Sequence, residues 1–219
     1  MRKQSCHRSA KPPLYPVAPR PGRTDHGSMP HQLTTARLSL RPFTEADEDH
    51  LVRLDADPRV TRYLNGGRPT PRETVRTRQL PRLLHRHPST GTVGYLAAED
   101  RRTGAFLGWF ELRPVREDSP PVLELGYRLR PDAWGRGLAT EGARALVDRG
   151  FADLGAGRVI ANTMAVNTAS RRVLEKAGLR YVRTWFGDWP EPVEGSEHGD
   201  VEYALDRAAW RRRPGPGGP

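Results

Sequence analysis

Hydrophobic residues along this 219-residue chain fall into short runs with two periods. In LTTARLSLRPF, Leu38 and Leu40 alternate with Ser39 and Arg41, the period-two pattern of a half-buried strand. TVGYLAAED and GAFLGWFELR, joined by the turn residues Asp100 to Gly104, predict an antiparallel hairpin. After the break at Pro120-Pro121, VLELGYRL puts Leu123, Leu125, Tyr127 and Leu129 on one face and Glu124, Gly126 and Arg128 on the other. RVIAN, LRYVRTWF and DVEYAL supply the remaining strands.

The three-to-four period marks the helices. Thr44 followed by Asp47 is a capping-box start for a helix over 45–55, and DPRVTRYLNGG gives a short helical turn that ends at glycines. Thr70-Pro71-Arg72-Glu73 opens another, with Thr as cap and Pro at the first position, expected to reach His87 with a kink at Pro81. Leu146, Val147, Phe151 and Leu154 form the buried stripe of a helix over Leu138 to Leu154, and Asn167 to Ala177 is a helix closed by Gly178. Because a helix separates VLELGYRL from RVIAN, those two strands pair in parallel.

The formal charge of +10 changes this picture little once it is located. Residues 1–30 carry a net +5 and 206–219 a net +3, which leaves only +2 on 31–205, so the excess sits in the tails and argues against a nucleic-acid partner. Residues 1–30, rich in Pro and Arg with no hydrophobic period, and residues 211–219 are expected to be disordered tails around one domain, 31–210. Met29 is a candidate start. Cys6, the one cysteine, permits neither an intramolecular disulfide nor a cysteine metal cluster and suits a reducing cytoplasm. No apolar run has the length of a membrane span. His85 and His87, two apart on a helix, would not share a face, and no metal site is expected.

Candidate chemistry gathers in Trp134-Gly135-Arg136-Gly137-Leu138-Ala139-Thr140, between a strand and a helix. Glycines allow close backbone approach, the helix start offers unsatisfied N–H groups, and Arg136 adds positive charge, an arrangement that suits a diphosphate. A P-loop is excluded because Gly-Lys-Ser/Thr is missing. A dinucleotide fingerprint fails because Thr140 stands where a third glycine belongs and Asn162 where an acidic residue should end the next strand.

Three stretches in this order, LTTARLSLRPFTEAD, LELGYRLRPDAWGRGLATEGARALV and NTASRRVLEKAGLRYV, resemble the GCN5-related N-acetyltransferases (GNAT), in particular the ribosomal-protein N-terminal acetyltransferases. The likeness runs over roughly Leu33 to Trp210. It implies an α/β (α+β) single domain: a mixed, mostly antiparallel, twisted sheet of about six to seven strands flanked by helices, with one parallel pair splayed at the cofactor site. It also implies an enzyme that moves an acetyl group from acetyl-CoA to an amine, with no metal. In the family pattern Gln/Arg-x-x-Gly-x-Gly/Ala, Gly137 and Ala139 match and Trp134 takes the Gln/Arg slot. The resemblance puts the acetyl-CoA pyrophosphate on the loop amides and the pantetheine arm along Leu129 and Asn167, with Asn162 beside them. Many members protonate the departing thiolate with a Tyr where this chain has Leu174, and Ser170 is the substitute that the ribosomal branch uses.

For the acceptor amine, Glu124 is the candidate base, a carboxylate in a central strand whose burial would raise its pKa, with an ion pair to Arg113 or Arg128 as the alternative. GDWPEPVEGSEHGD is acidic and lies beside Trp185 and around Trp189; Glu191, Glu194 and the indoles suit a cationic acceptor, either a small molecule or a protein N-terminus. A solubilising loop is the plainer reading. A CoA-binding sensor or scaffold without turnover is the alternative function, motivated by Trp134 and Leu174. Apolar residues on edge strands leave room for a homodimer.

Overall fold

The computed structural model describes residues 33–88, 91–92, 94–116, 122–187 and 191–213. The expected tail over 1–30, residues 214–219 and Trp189 lie outside them. The elements are β1 (Leu33–Thr34), β2 (Leu38–Pro42), α1 (Glu48–Ala56), α2 (Pro58–Asn65), α3 (Arg72–Thr74), α4 (Leu80–Leu84), β3 (Tyr95–Asp100), β4 (Phe106–Pro114), β5 (Val122–Leu129), α5 (Leu138–Ala152), β6 (Arg158–Met164), α6 (Thr168–Lys176), β7 (Arg180–Trp185), β8 (Asp200–Asp206) and α7 (Arg207–Arg211).

One sheet of eight strands runs in the order β1-β2-β3-β4-β5-β6-β8-β7, and β5–β6 is the parallel pair. The count exceeds the six to seven strands expected because LTTARLSL folds back on itself: Leu33 pairs with Leu40 and Thr34 with Ser39, so a single run of sequence makes two strands. Alternation along the strands divides the hydrophobic residues between two faces. Phe110, Leu112, Leu123 and Leu125 pack with Leu138, Leu146, Phe151 and Leu174 of α5 and α6. Tyr95, Ala97 and Phe106 pack on the other face with Leu51 and Leu54 of α1 and Leu80 and Leu83 of α4. Burying each such side chain contributes about 1.5–3 kcal/mol, which is why the sheet holds helices on both sides. Gly142 sets the seat of α5, since a Cβ there would come within 2.3 Å of the Phe110 ring.

Two helix boundaries differ from expectation. Pro71 stands before α3 instead of at its first position, and Thr70 gives its backbone N–H to the Asp55 carbonyl. The kink expected at Pro81 appears as a wide π turn over Val75–Gln79, followed by α4, which stops at Leu84. Pro81 has no N–H and its ring crowds the carbonyl four residues back, and a wider turn relieves both. His85 is extended, so it and His87 lie beyond the helix. At the chain start the expected reciprocal contact forms, with Thr44 N–H donating to Asp47 Oδ2 at 2.8 Å.

Candidate active site

β5 and β6 stay in register through Glu124 opposite Ile160 and then part. Beyond that point β5 is held by β4 as far as Leu129 opposite Gly108, and β6 by β8 as far as Met164 opposite Asp200. Arg130 N–H donates to Leu107 O and Val115 N–H to Val122 O. Antiparallel alternation then commits the even-numbered residues of β5 to β4 and turns the backbone groups of Leu125, Tyr127 and Leu129 toward the gap. The gap opens into a cleft of about 960 Å³.

One wall of this cleft is the loop 134–140 with the start of α6. Gly135 and Gly137 have φ of 70° and 77°, the left-handed region that glycine adopts without strain. The turn delivers the chain into α5 with the amides of Leu138, Ala139 and Thr140 in its first turn, where no intrahelical acceptor exists. Gly135, Gly137, Leu138, Ala139 and Thr140 all line the cleft. Arg136 does not: its guanidinium lies 4.0 Å from Asp100. Trp134 lines the cleft, and its indole N–H donates to Leu129 O at 2.8 Å, so it closes off the end of β5 where the resemblance expects a polar side chain.

Arg37 and Glu141 hold this loop to the rest of the molecule. Arg37 donates from its backbone N–H (2.8 Å) and Nε (2.7 Å) to Glu141, and from Nη1 to the Arg136 carbonyl (2.8 Å). Burial pushes the Glu141 carboxyl up, but these bonds and one from Thr35 outweigh it and keep the group below the usual carboxylate range. The contact joins residues 104 apart, so no local pattern announces it.

At the head of α6, Asn167 Oδ1 accepts the Ser170 N–H at 3.1 Å, which caps the helix, and Asn167 lines the cleft. Ser170 Oγ lies 3.0 Å from the Tyr127 hydroxyl. Burial pushes the Tyr127 phenol up to about 12, so it keeps its proton at neutral pH. Sequence reasoning read Tyr127 as one of an apolar row, and only the tertiary contact shows its hydroxyl beside Ser170. Leu129 lines the cleft with both.

On the other face of the sheet, Glu124 forms the ion pair that the sequence left as its alternative reading. Its Oε2 accepts Arg113 Nη2 at 2.6 Å and its Oε1 accepts Asn162 Nδ2 at 3.3 Å. Glu124 sits where the strands are still paired and does not line the cleft. Asn162 is at the cleft, and its side chain joins Glu124 of β5 to the Trp185 indole N–H of β7 (3.3 Å). Glu111 is the more buried carboxylate. It accepts hydrogen bonds from Tyr95 (3.0 Å) and from Arg113, and burial pushes its carboxyl above the usual range despite Arg113 and Arg82.

The opposite wall comprises α2 and the connection from β7 to β8. Glu191 lines the cleft and pairs with Arg68, while Glu194 lies outside the lining and pairs with Arg62 at 3.3 Å. Glu194 therefore ties the connection to α2, and Glu191 ties it to Arg68 in the turn that follows that helix. Trp185 faces Asn162, and Trp189 lies outside the described residues. Among the described residues no group of three or more His, Cys, Asp or Glu could hold a metal ion, and no helix is long and apolar enough to cross a membrane.

A sheet that parts beside an amide-rich helix start, with helices on both faces, is the fold of an acyltransferase. Residues 37–180 match the Acetyltransferase (GNAT) domain, and the chain belongs to the GNAT acetyltransferase family. It is 37% identical over 189 residues to the FsC-acetyl coenzyme A-N(2)-transacetylase of Aspergillus fumigatus, covering 82% of this chain and 78% of the relative. It is also 34% identical over 163 residues to the uncharacterized protein YkkB of Bacillus subtilis, covering 74% and 92%. Among solved structures, the GNAT acetyltransferase of Bacillus anthracis superposes with a TM-score of 0.66 at 20% identity over 81% of this chain and 99% of that one. AAC(6')-Ib in complex with ribostamycin and coenzyme A superposes at 0.63 with 21% identity, over 82% and 99%. These two likenesses show the fold.

Proposed function

We propose that this cleft transfers acetyl from acetyl-CoA directly to a primary amine on a small polar molecule. The observation that carries the reading is the parting of β5 from β6 between two unlike walls, an amide cradle on one side and a charged, aromatic recess on the other. The loop 134–140 suits the pyrophosphate, with backbone amides in place of the side chain that Trp134 displaces. The gap-facing groups of Leu125 and Tyr127 suit the amides of the pantetheine arm, as an added strand would pair, with Asn167 Nδ2 as a further donor. A Leu129 N–H at the strand end is placed to steady the carbonyl oxygen of the thioester. Tyr127, protonated and beside Ser170, supplies a hydrogen-bonding hydroxyl pair for the departing sulfur.

The acceptor reaches the gap from the side of α2 and the β7–β8 connection, where arginines and acids alternate. That mixture suits a molecule with several polar groups, and the N(2)-transacetylase named among the relatives supports an amine on such a molecule. Ser170 supports the ribosomal branch and with it a protein N-terminus. Thiol release from acetyl-CoA, followed with ribostamycin, spermidine, ornithine and a free-N-terminus peptide, separates the readings. Turnover with small amines is expected, peptide-only turnover moves the acceptor to a protein N-terminus, and donor binding with no turnover favours a non-catalytic CoA binder. The single cysteine supports a reducing, cytoplasmic setting. Half-exposed Tyr181 and Val182 on the β7 edge support pairing with a second copy, which a monomeric sedimentation profile would remove.

A further inference from the structure

α1 and the residue that ends it present His50, Arg53, Leu54 and Asp57 at steps of three and four, so one helical face carries them all. These side chains line a second cavity, of about 600 Å³. Its other walls include Arg59 of α2, Phe106 of β4, and Arg130 and Asp132 in the turn after β5. The cavity adjoins the cleft already described, since Arg59 lines both. Arg130 N–H still pairs with Leu107 O, so strand alternation reaches it: Gly126 and Arg128 line the cleft, and Arg130, the next residue on that face, lines the cavity. Arg130 and Asp132 follow Leu129 by one and three residues, which keeps their Cα atoms within about 11 Å of the strand end where the thioester is proposed to lie.

Charge in this cavity does not cancel. Asp57 is taken by Arg59 at 2.6 Å and Asp132 by Arg130 at 2.9 Å, and Arg130 also donates to the Phe106 carbonyl at 3.3 Å. Arg53, the third guanidinium, is exposed and has no carboxylate paired with it among the described residues. In the cleft, by contrast, Arg128 is matched by Asp55 at 2.5 Å. The cavity also has a flat, partly apolar side: the His50 ring lies on that of Phe106, with centroids 4.6 Å apart and planes within 9°, next to buried Leu54.

We propose that this cavity binds a carboxylate carried by the acceptor at the end remote from its amine, so that the acceptor is an ω-amino carboxylate with an extended spacer. The amine reaches the thioester beside Leu129, the spacer crosses His50 and Leu54, and the carboxylate meets the planar fork of Arg53 with Arg59 at its side. A single unmatched guanidinium suits a monoanion; the second charge of a phosphate ester would find no partner there. This inference rests on the acetyl transfer proposed above. 6-Aminohexanoate and hexylamine share an amine on a six-carbon chain and differ in the far carboxylate. Wild type should prefer 6-aminohexanoate by about tenfold in kcat/KM, through KM, as one charged hydrogen bond gives, and the preference should shrink as salt screens the arginine. Arg53→Gln should bring the two acceptors level, a change that a merely structural role, acting on both alike, would not produce. Hexanoate, which has the carboxylate and the spacer but no amine, should compete with 6-aminohexanoate. Inhibition that is not competitive would make the carboxylate a separate effector and overturn the proposal, as would a wild type that does not distinguish the two acceptors or an Arg53→Gln variant that still does. No turnover of any amine by the wild type defeats the transfer reading instead. The cavity is then judged by calorimetry with hexanoate: an affinity about tenfold weaker in Arg53→Gln keeps the carboxylate site, and equal binding or none removes it.

Discussion

Under the proposed transfer the hydroxyl pair Tyr127–Ser170 would join the acetyl donor to α6, each residue carrying a different part of that link. Ser170→Ala removes the hydroxyl nearest the helix start, and Tyr127→Phe removes its partner. Each should lower kcat by roughly tenfold, the effect of losing one hydrogen bond of about 1–2 kcal/mol to a developing charge, with the KM for acetyl-CoA little changed. Because they share one contact, the double variant should lose much less than the product of the single losses, a non-additivity read by steady-state kinetics. Glu124→Gln should leave the shape of the rate-pH profile intact; a profile that loses its acidic limb would return the base to Glu124. Gly137 and Ala139 were legible as candidates in the sequence because a strand, a glycine turn and a helix start form one local motif, and Asn167 and Ser170 because the resemblance marks a second helix start. Tyr127, Arg37 and Glu111 were not. Each takes its meaning from a partner far away in the chain, and Tyr127 and Glu111 sit in strand patterns that any sheet would show.

Helix starts in this fold are fixed by groups that titrate. Asp47 accepts Arg41 through two bonds of 2.8 Å and also the Thr44 N–H, which joins β2 to the turn before α1. Burial alone would raise its carboxyl, but Arg41 and Thr44 outweigh that and hold it below 3.8. A depressed folded pKa stabilises the protein above the ordinary aspartate range, and that contribution is lost as pH falls through the folded value. Asp47→Asn should therefore cost about 2 kcal/mol at pH 7, for charged hydrogen bonds lost, and progressively less as pH falls below the ordinary aspartate range, as urea unfolding across that range would show. Thr44 and Asp47 announced this start. The end of the helix after Pro71 was not legible, because a proline says that a regular helix cannot continue without saying whether the chain will stop, bend or widen. Here it widens over Val75–Gln79. The split of LTTARLSL into β1 and β2 was hidden for a similar reason, since alternation persists through a tight return and only pairing reveals it.

Strand periodicity and the helix between VLELGYRL and RVIAN were enough to predict a mixed sheet with one parallel pair, because they follow from side-chain alternation and connection handedness. The relation of the acidic connection to α2 was not, since composition reports charge and not its partners. Arg62 to Glu194 and Arg68 to Glu191 are exposed pairs, each worth about 0–1 kcal/mol, so they contribute little to stability. They matter at the mouth of the cleft. Neutralising both acids with Glu191→Gln and Glu194→Gln would leave two arginines unbalanced at the acceptor side, and an ammonium acceptor would meet them. The expected outcome is an unchanged melting temperature and a several-fold rise in the KM for spermidine, which shrinks as salt screens the arginines. An unaltered KM would reduce the connection to a solubilising loop.

The sheet has one further consequence. β1 to β5 form one block and β6 to β8 another, and three register positions, Val122, Leu123 and Glu124 against Arg158, Val159 and Ile160, pair the two as strands. Past that seam the molecule is a zipper left half open, and a donor lying in the gap would act as the missing teeth. The acetyl carrier would then be a structural part of the fold for as long as it stays, and its departure as free CoA would hand that slack back to the protein at the end of each cycle.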